Sequence, residues 1–170
     1  MSVLDIFDKR VVDLNMDVKN KDEAIRLMAS HLKDAGYIAD VEEFVADIYL
    51  REKEGCTGIG EGIAIPHGKS DSVKNIGIAV GKCRHPIEWE TLDGKPVEVI
   101  FLFCVSKSRY NTDHLKLLGD LAGRLGSGNT IANLKKMKTY DELLRAFQDN
   151  SSAPVNDMEE MTGDIEIKFQ

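Results

Sequence analysis

The stretch VEVIFLFCV, residues 97–105, is apolar at every position but Glu98. A strand with one face in water would alternate polar and apolar residues, and this one does not. Its valines, isoleucine and phenylalanines favour extended backbone. It reads as a central strand covered on both faces. It also falls well short of the roughly 20 apolar residues that a membrane-spanning helix needs. A strand that is apolar on both faces requires a layer on each side, so the rest of the chain has to supply helices. The expected fold class is α/β: a single domain with a mixed β-sheet, one antiparallel hairpin and flanking α-helices.

Outward from this stretch, Trp89 and Leu92 flank an Asp93-Gly94 pair whose turn chemistry predicts the hairpin. Ile76 to Val80 supplies another strand, with Gly77 allowing close packing. Ile63 to Ile65 reads as a short strand behind a glycine-rich approach. Upstream, a helix is expected over Lys21 to Ala35. Asn20 caps it, Glu23 completes a capping box, and Gly36 ends it. A second helix runs from Val41 to Glu52 behind the Asp40 cap. Phe44, Val45 and Ile48 face inward, and Arg51 sits in the last turn, where a cation suits the helix dipole. Downstream, a helix from about Asp113 to Leu125 has Leu115, Leu118, Ala122 and Leu125 on one side. Asn111 or Thr112 is its cap, so His114 falls in the first turn. A short helical segment covers Ile131 to Met137, and a last helix starts at the Thr139 cap with Glu142. From Asp149 the composition turns polar, and Asp164 to Phe169 alternates like an edge strand. The expected organisation is a domain over residues 1–148 and a dispensable, loosely attached tail over 149–170.

With 170 residues, 42% apolar and 30% charged, the chain reads as a soluble globular protein. A net charge of −7 without a basic stripe argues against a nucleic-acid partner. The N-terminus lacks the basic start and apolar core of a signal peptide. Three cysteines, Cys56, Cys83 and Cys104, show no C-x-x-C spacing, which suggests a reducing, cytoplasmic setting. No direct membrane insertion is expected.

The chemistry concentrates in GIGEGIAIPHGKS, residues 58–70. A phosphate-binding P-loop would need glycine at position 63, which is Ile63, and no dinucleotide fingerprint follows Gly58, Gly60 and Gly62. His67, His85 and His114 lack a tight metal-ligand spacing, so neither a metal nor another cofactor is expected. No G-x-S-x-G elbow is present, and nothing marks Cys56 as a thiolate. One sharp reading makes His67 itself the nucleophile. Imidazole is largely neutral near pH 7, and a phosphorylated histidine hands its phosphoryl group onward readily. Pro66 would restrain the backbone before it, and Gly68 would let a partner's reactive side chain approach. Gly58, Gly60 and Gly62 would offer N–H groups to phosphate, and Arg51, if near, would neutralise its charge. The plainer reading leaves His67 as a surface turn residue, and both readings stand on the residues alone.

One resemblance goes further. REKEGCTGIGEGIAIPHGKSDSV, residues 51–73, resembles the active-site segment of enzyme IIA of the bacterial sugar phosphotransferase system, fructose/mannitol type. Cys56 stands where that signature usually has serine. KNKDEAIRLMASHLKDAGYI, PIEWETLDGKPVEVIFLFCV, DHLKLLGDLAGRL and TYDELLRAF extend the likeness over about Val3 to Phe147. The resemblance implies a mixed sheet flanked by helices. It implies that His67 is phosphorylated by the phosphocarrier protein HPr and passes the phosphoryl group to a cysteine of enzyme IIB, which works with the membrane enzyme IIC. It implies that His114 orients His67 and helps hold the phosphate, and that Arg51 lines the pocket. Glu61 matches a position near that site, with Gly60 and Gly62 beside it. His31, His85 and Trp89 are expected to be structural, His85 in a turn. A regulatory branch similar to the nitrogen-linked enzyme IIA binds target proteins according to its phosphorylation state. GEGIAIPHGKSD and LDGKPVEVIFLFCV look more like the fructose transport type. A pure interaction module that has lost transfer is disfavoured, because His67, His114 and Arg51 are all present.

Overall fold

The apolar run forms β6, Val97–Val105, and every residue in it except Glu98 is buried. The computed structural model of the protein describes residues 2–109 and 114–148. Beside β6 lies β5, Gly77–Ile87, antiparallel to it, and beyond β5 lies β1, Val12–Met16, parallel to β5. On its other side β6 pairs in parallel with β3, Ile63–Ala64, and β4, His67–Lys69. β3 in turn pairs antiparallel with β2, Gly58–Gly60. The result is a six-stranded mixed sheet in the order β1-β5-β6-β3-β2, with β4 also on β6.

Alternation along β6 explains why it has no polar face. Ile100, Leu102 and Cys104 face a core built with Ile25, Met28 and Leu32 of α2, Lys21–Asp34, and Phe44 and Ile48 of α3, Val41–Glu52. Val99, Phe101 and Phe103 face the opposite core. There they meet Leu117, Leu118 and Leu121 of α4, Leu115–Leu125, and Phe147 of α6, Tyr140–Gln148. Phe101 lies edge-on to Phe147 at 5.8 Å between centroids, with Phe7 5.4 Å from Phe147. Truncating Phe101 to alanine would remove the centre of that cluster, at about 3–5 kcal/mol.

The helix starts follow the caps. The Asn20 side chain accepts the Glu23 N–H, Asp40 accepts the Glu43 N–H, and Thr139 accepts the Glu142 N–H. Glu23 reciprocates onto the Asn20 side-chain amide rather than the backbone. α4 is observed from Leu115, with His114 at its N-cap. The expected caps Asn111 and Thr112 and the expected start at Asp113 lie outside the described residues, as does the 149–170 tail with its Asp164–Phe169 segment. α5, Thr130–Lys136, matches the expected short segment within a residue.

Several expectations need correction. The strand expected over Ile76–Val80 continues to Ile87, so His85 and Pro86 lie in β5 and His85 is not a turn residue. β5 is held by neighbours on both sides, and a register shift between Lys82 and Ile87 absorbs the N–H that Pro86 lacks. Trp89 and Leu92 lie in the connection rather than in flanking strands, although the Gly94 N–H does close a turn onto Thr91. The β2–β3 pair is a second antiparallel pair, where one was expected. Ile65 follows β3 rather than ending it, and His67 lies in β4 instead of a loop. β1 and the preceding α1, Val3–Ile6, had no signal, because both are short and β1 is half-polar.

Candidate active site

His67 is fully buried, at 0% exposure, which rules out the surface-turn reading. Register fixes its direction. Partners in a parallel ladder point to the same face, and His67 is opposite Phe103. His67 therefore faces the α4 layer. His114, 1% exposed at the N-cap of α4, meets it there. The two imidazole centroids are 5.0 Å apart with planes at 44°, and His114 stands edge-on to Phe103 at 6.1 Å.

The His67 Nδ1 lies 2.7 Å from the Ile65 carbonyl oxygen. A carbonyl only accepts, so Nδ1 carries the proton and Nε2 of the neutral ring holds the lone pair. Pro66, between the two residues, contributes a fixed φ to this short loop-back. Arg51 arrives from α3. Gly68 allows this, because a Cβ there would lie 3.1 Å from the Asp47 carbonyl oxygen on α3. Arg51 is one turn beyond Asp47, only 5% exposed, and its Nη1 donates to the Gly55 carbonyl at 2.9 Å. The role of Gly68 is thus to seat α3 against β4, which differs from the partner access expected of it.

Burial dominates the electrostatics. It holds His67 well below its ordinary pKa, with the neighbouring His114 and the Arg51 charge acting in the same direction. His114 is pushed down to about 4, first by burial and then by Arg51. Both rings are therefore held neutral at pH 7. The unfolded chain binds these protons near pH 6.5 and the folded one does not. Stability is therefore full above about 6.5 and is lost as pH falls towards about 4 for His114. The arrangement sets a neutral nucleophilic nitrogen beside a second imidazole and a guanidinium, which suits transfer of an anionic group.

The structure unites His67, His114 and Arg51, but not Glu61, Gly60 and Gly62. Gly60 ends β2 and Glu61 and Gly62 turn from it into β3, with Glu61 exposed at φ 56° and Gly60 and Gly62 at φ 103° and 84°. The Glu61 N–H donates to Asp93, and the Gly62 carbonyl accepts from Glu98 and Val99. Gly62 is thus level with Glu98 while His67 is level with Phe103, roughly 15 Å along the strand. Gly58 is likewise turned to the 88–96 connection, its N–H donating to the Glu90 carbonyl. These glycines shape a hairpin set apart from His67. The Ile65 carbonyl and Phe103 carry no sequence signal as site groups: a backbone oxygen leaves no residue signal, and Phe103 is hidden in an apolar run. Burial pushes the Cys83 and Cys104 thiols up to about 11 and about 12, so neither is a ready nucleophile. Among the described residues, no group of three or more His, Cys, Asp and Glu side chains is placed to share a metal ion. His31 bonds Asp13 at 3.0 Å, and Trp89 is packed at 8% exposure.

Residues 5–150 match the family described as "Phosphoenolpyruvate-dependent sugar phosphotransferase system, EIIA 2". The chain belongs to this EIIA family. The family is a phosphoryl-transfer component of that sugar transport system. The EIIA chain is 33% identical over 150 residues to the 2-O-alpha-mannosyl-D-glycerate-specific EIIABC component of Escherichia coli, covering 88% of this chain and 23% of that protein. It is 33% identical over 144 residues to the fructose-specific EIIABC component of Bacillus subtilis, covering 85% of this chain and 22% of that one. It thus spans about a quarter of the length of these curated relatives. The crystal structure of nitrogen regulatory protein IIA-Ntr from Neisseria meningitidis superposes with a TM-score of 0.77 at 27% identity, over 85% of this EIIA chain and 98% of that one. Among the described residues, no helix is long and apolar enough to cross a membrane.

Proposed function

We propose that this protein is a phosphoryl carrier: Nε2 of His67 takes a phosphoryl group from phospho-HPr and passes it to a cysteine of an enzyme IIB during sugar uptake. The observation that carries the reading is the buried, neutral His67, with Nδ1–H on the Ile65 carbonyl, beside His114 and Arg51. In the accepting step the Nε2 lone pair forms the new P–N bond as the P–N bond to the donor imidazole breaks. The Nδ1 proton stays in place. The ring becomes positive, so its bond to the Ile65 carbonyl strengthens when the phosphoryl group arrives. His114 and Arg51 face the transferring oxygens, whose negative charge they offset in a site without water's screening. Burial also makes His67 a weak base, hence a good leaving group when the acceptor thiolate attacks phosphorus.

The test is incubation with phosphoenolpyruvate, enzyme I and HPr, followed by intact mass and mapping of the modified residue. One acid-labile phosphoryl group on His67 is the expected result. A folded protein that takes no label from a competent HPr would overturn the reading. The likeness to the nitrogen regulatory protein supports a second reading, a regulator that binds its targets according to phosphorylation state. Onward transfer to an enzyme IIB cysteine separates the two. A cytoplasmic setting is part of this reading, supported by the three free thiols.

A further inference from the structure

We propose that Thr57 is a positioning residue that holds Arg51 and His67 in one register, through a closed ring of side chains with Glu52, Lys21 and Trp89. The inference rests on the acceptor role given to His67 above. Thr57 is fully buried, at 0% exposure, and it connects to both halves of the site. Its carbonyl accepts the Ile65 N–H at 2.9 Å, and the Ile65 carbonyl accepts the Nδ1–H of His67 at 2.7 Å. Its hydroxyl donates to Oε1 of Glu52, the residue after Arg51. The Gly55 carbonyl that holds Arg51 lies in the short turn between Glu52 and Thr57.

The ring then closes on itself. The Trp89 Nε1–H donates to the Thr57 hydroxyl at 3.3 Å. Oε2 of Glu52 accepts from the Lys21 ammonium at 2.7 Å, and that ammonium sits 5.0 Å from the centre of the Trp89 ring. Four separate segments are tied: the start of α2, the end of α3, the approach to β2 and the β5–β6 connection. The Glu52 side chain is only 6% exposed, so its carboxylate depends on these donors. A hydroxyl can accept from the indole and donate to the carboxylate at once. Serine keeps both bonds, while valine, with the same shape as threonine, keeps neither. Losing them frees the 52–57 turn at one end and the Ile65 anchor at the other.

The test is single-turnover phosphorylation by phospho-HPr in Thr57→Val, Thr57→Ser and Trp89→Phe. It is read together with nitrogen and proton NMR of the His67 ring in the unphosphorylated protein. Thr57→Val is expected to slow transfer by about 10-fold, since small misplacements of reacting groups are costly. Its His67 Nδ1 proton is expected to exchange with water about 10-fold faster, as a loosened anchor opens more often. Thr57→Ser is expected to restore both within about 2-fold, with Trp89→Phe, which loses only the N–H, in between. If Thr57→Val does not fold, Trp89→Phe carries the test, and unchanged transfer and exchange there overturn the proposal. A folded Thr57→Val with unchanged transfer and unchanged exchange overturns it, as does a serine variant as impaired as valine. If the parent protein takes no phosphoryl group at all, the acceptor role falls, and the NMR comparison still decides whether Thr57 holds His67.

Discussion

Glu61 and His67 stand at opposite ends of one short glycine-rich segment, and their surroundings are reversed. Glu61 is exposed at a hairpin tip in a left-handed conformation, with charged and polar neighbours that include Asp93, Glu98 and Lys135. His67 is buried beside Phe103 and His114, with extended backbone and a carbonyl on its Nδ1. At the tip, glycines serve backbone shape, and charges stay in water, where they do little chemistry. At the buried end, glycine lets a helix approach, and water is excluded, so each polar group acts strongly. A dense run of motif residues thus need not be one site.

The largest expected contrast comes from the nucleophile. His67→Ala should lower phosphoryl acceptance at least about 10³-fold, read as incorporated label, while the far-UV spectrum is kept. Labelling at the normal rate would break the comparison at its centre. Removing His114 should act next most strongly. His114→Ala is expected to slow single-turnover transfer by about 10²-fold without loss of fold. Unchanged kinetics would remove it from the mechanism.

Above about pH 4, acidification acts mainly on the buried rings. Protons that the folded rings refuse should make thermal stability fall as pH drops from about 6.5 to about 4, by on the order of 3 kcal/mol for His114. His114→Gln should flatten that slope, which calorimetry across the pH range would show. A slope unchanged in the variant would mean that other groups set the acid limit.

At the hairpin end the effects should be on stability. A Cβ on Gly58 would meet Thr91 and lie 2.7 Å from the Glu90 carbonyl oxygen. Gly58→Ala should therefore cost about 1–3 kcal/mol, seen as a lower melting temperature. The smallest effect is expected of Glu61. Glu61→Gly should leave transfer within about 2-fold and be neutral to about 1 kcal/mol stabilising, because it relieves the left-handed strain. A large loss of transfer in that variant would bring the two ends functionally together after all.

Much of this was legible in the chain. The apolarity of residues 97–105, interrupted only by Glu98, implies a strand buried on both sides, since a polar face would need polar residues at alternate positions. The caps Asn20, Asp40 and Thr139 mark helix starts, because their side chains satisfy backbone N–H groups nearby in sequence. These are local signals, and local chemistry enforces them. The family likeness singled out His67, His114 and Arg51, and the fold brings those three together.

Only the tertiary structure decided which motif residues share a site. Glu61, Gly60 and Gly62 are close to His67 in sequence, but β3 and β4 run on along β6 and carry them to its other end. His114 and Arg51, 47 and 16 positions from His67 in the chain, converge on it because α3 packs on β4 at Gly68 and α4 covers the face of Phe103. The bond that sets which nitrogen of His67 carries the proton comes from a backbone carbonyl, which no side chain announces. The depressed pKa values belong to burial, a property of packing that composition does not contain. Sequence specifies which groups are available and where helices and strands begin. Distance, desolvation and tautomer follow from how the sheet register and the two helical layers bring those groups together.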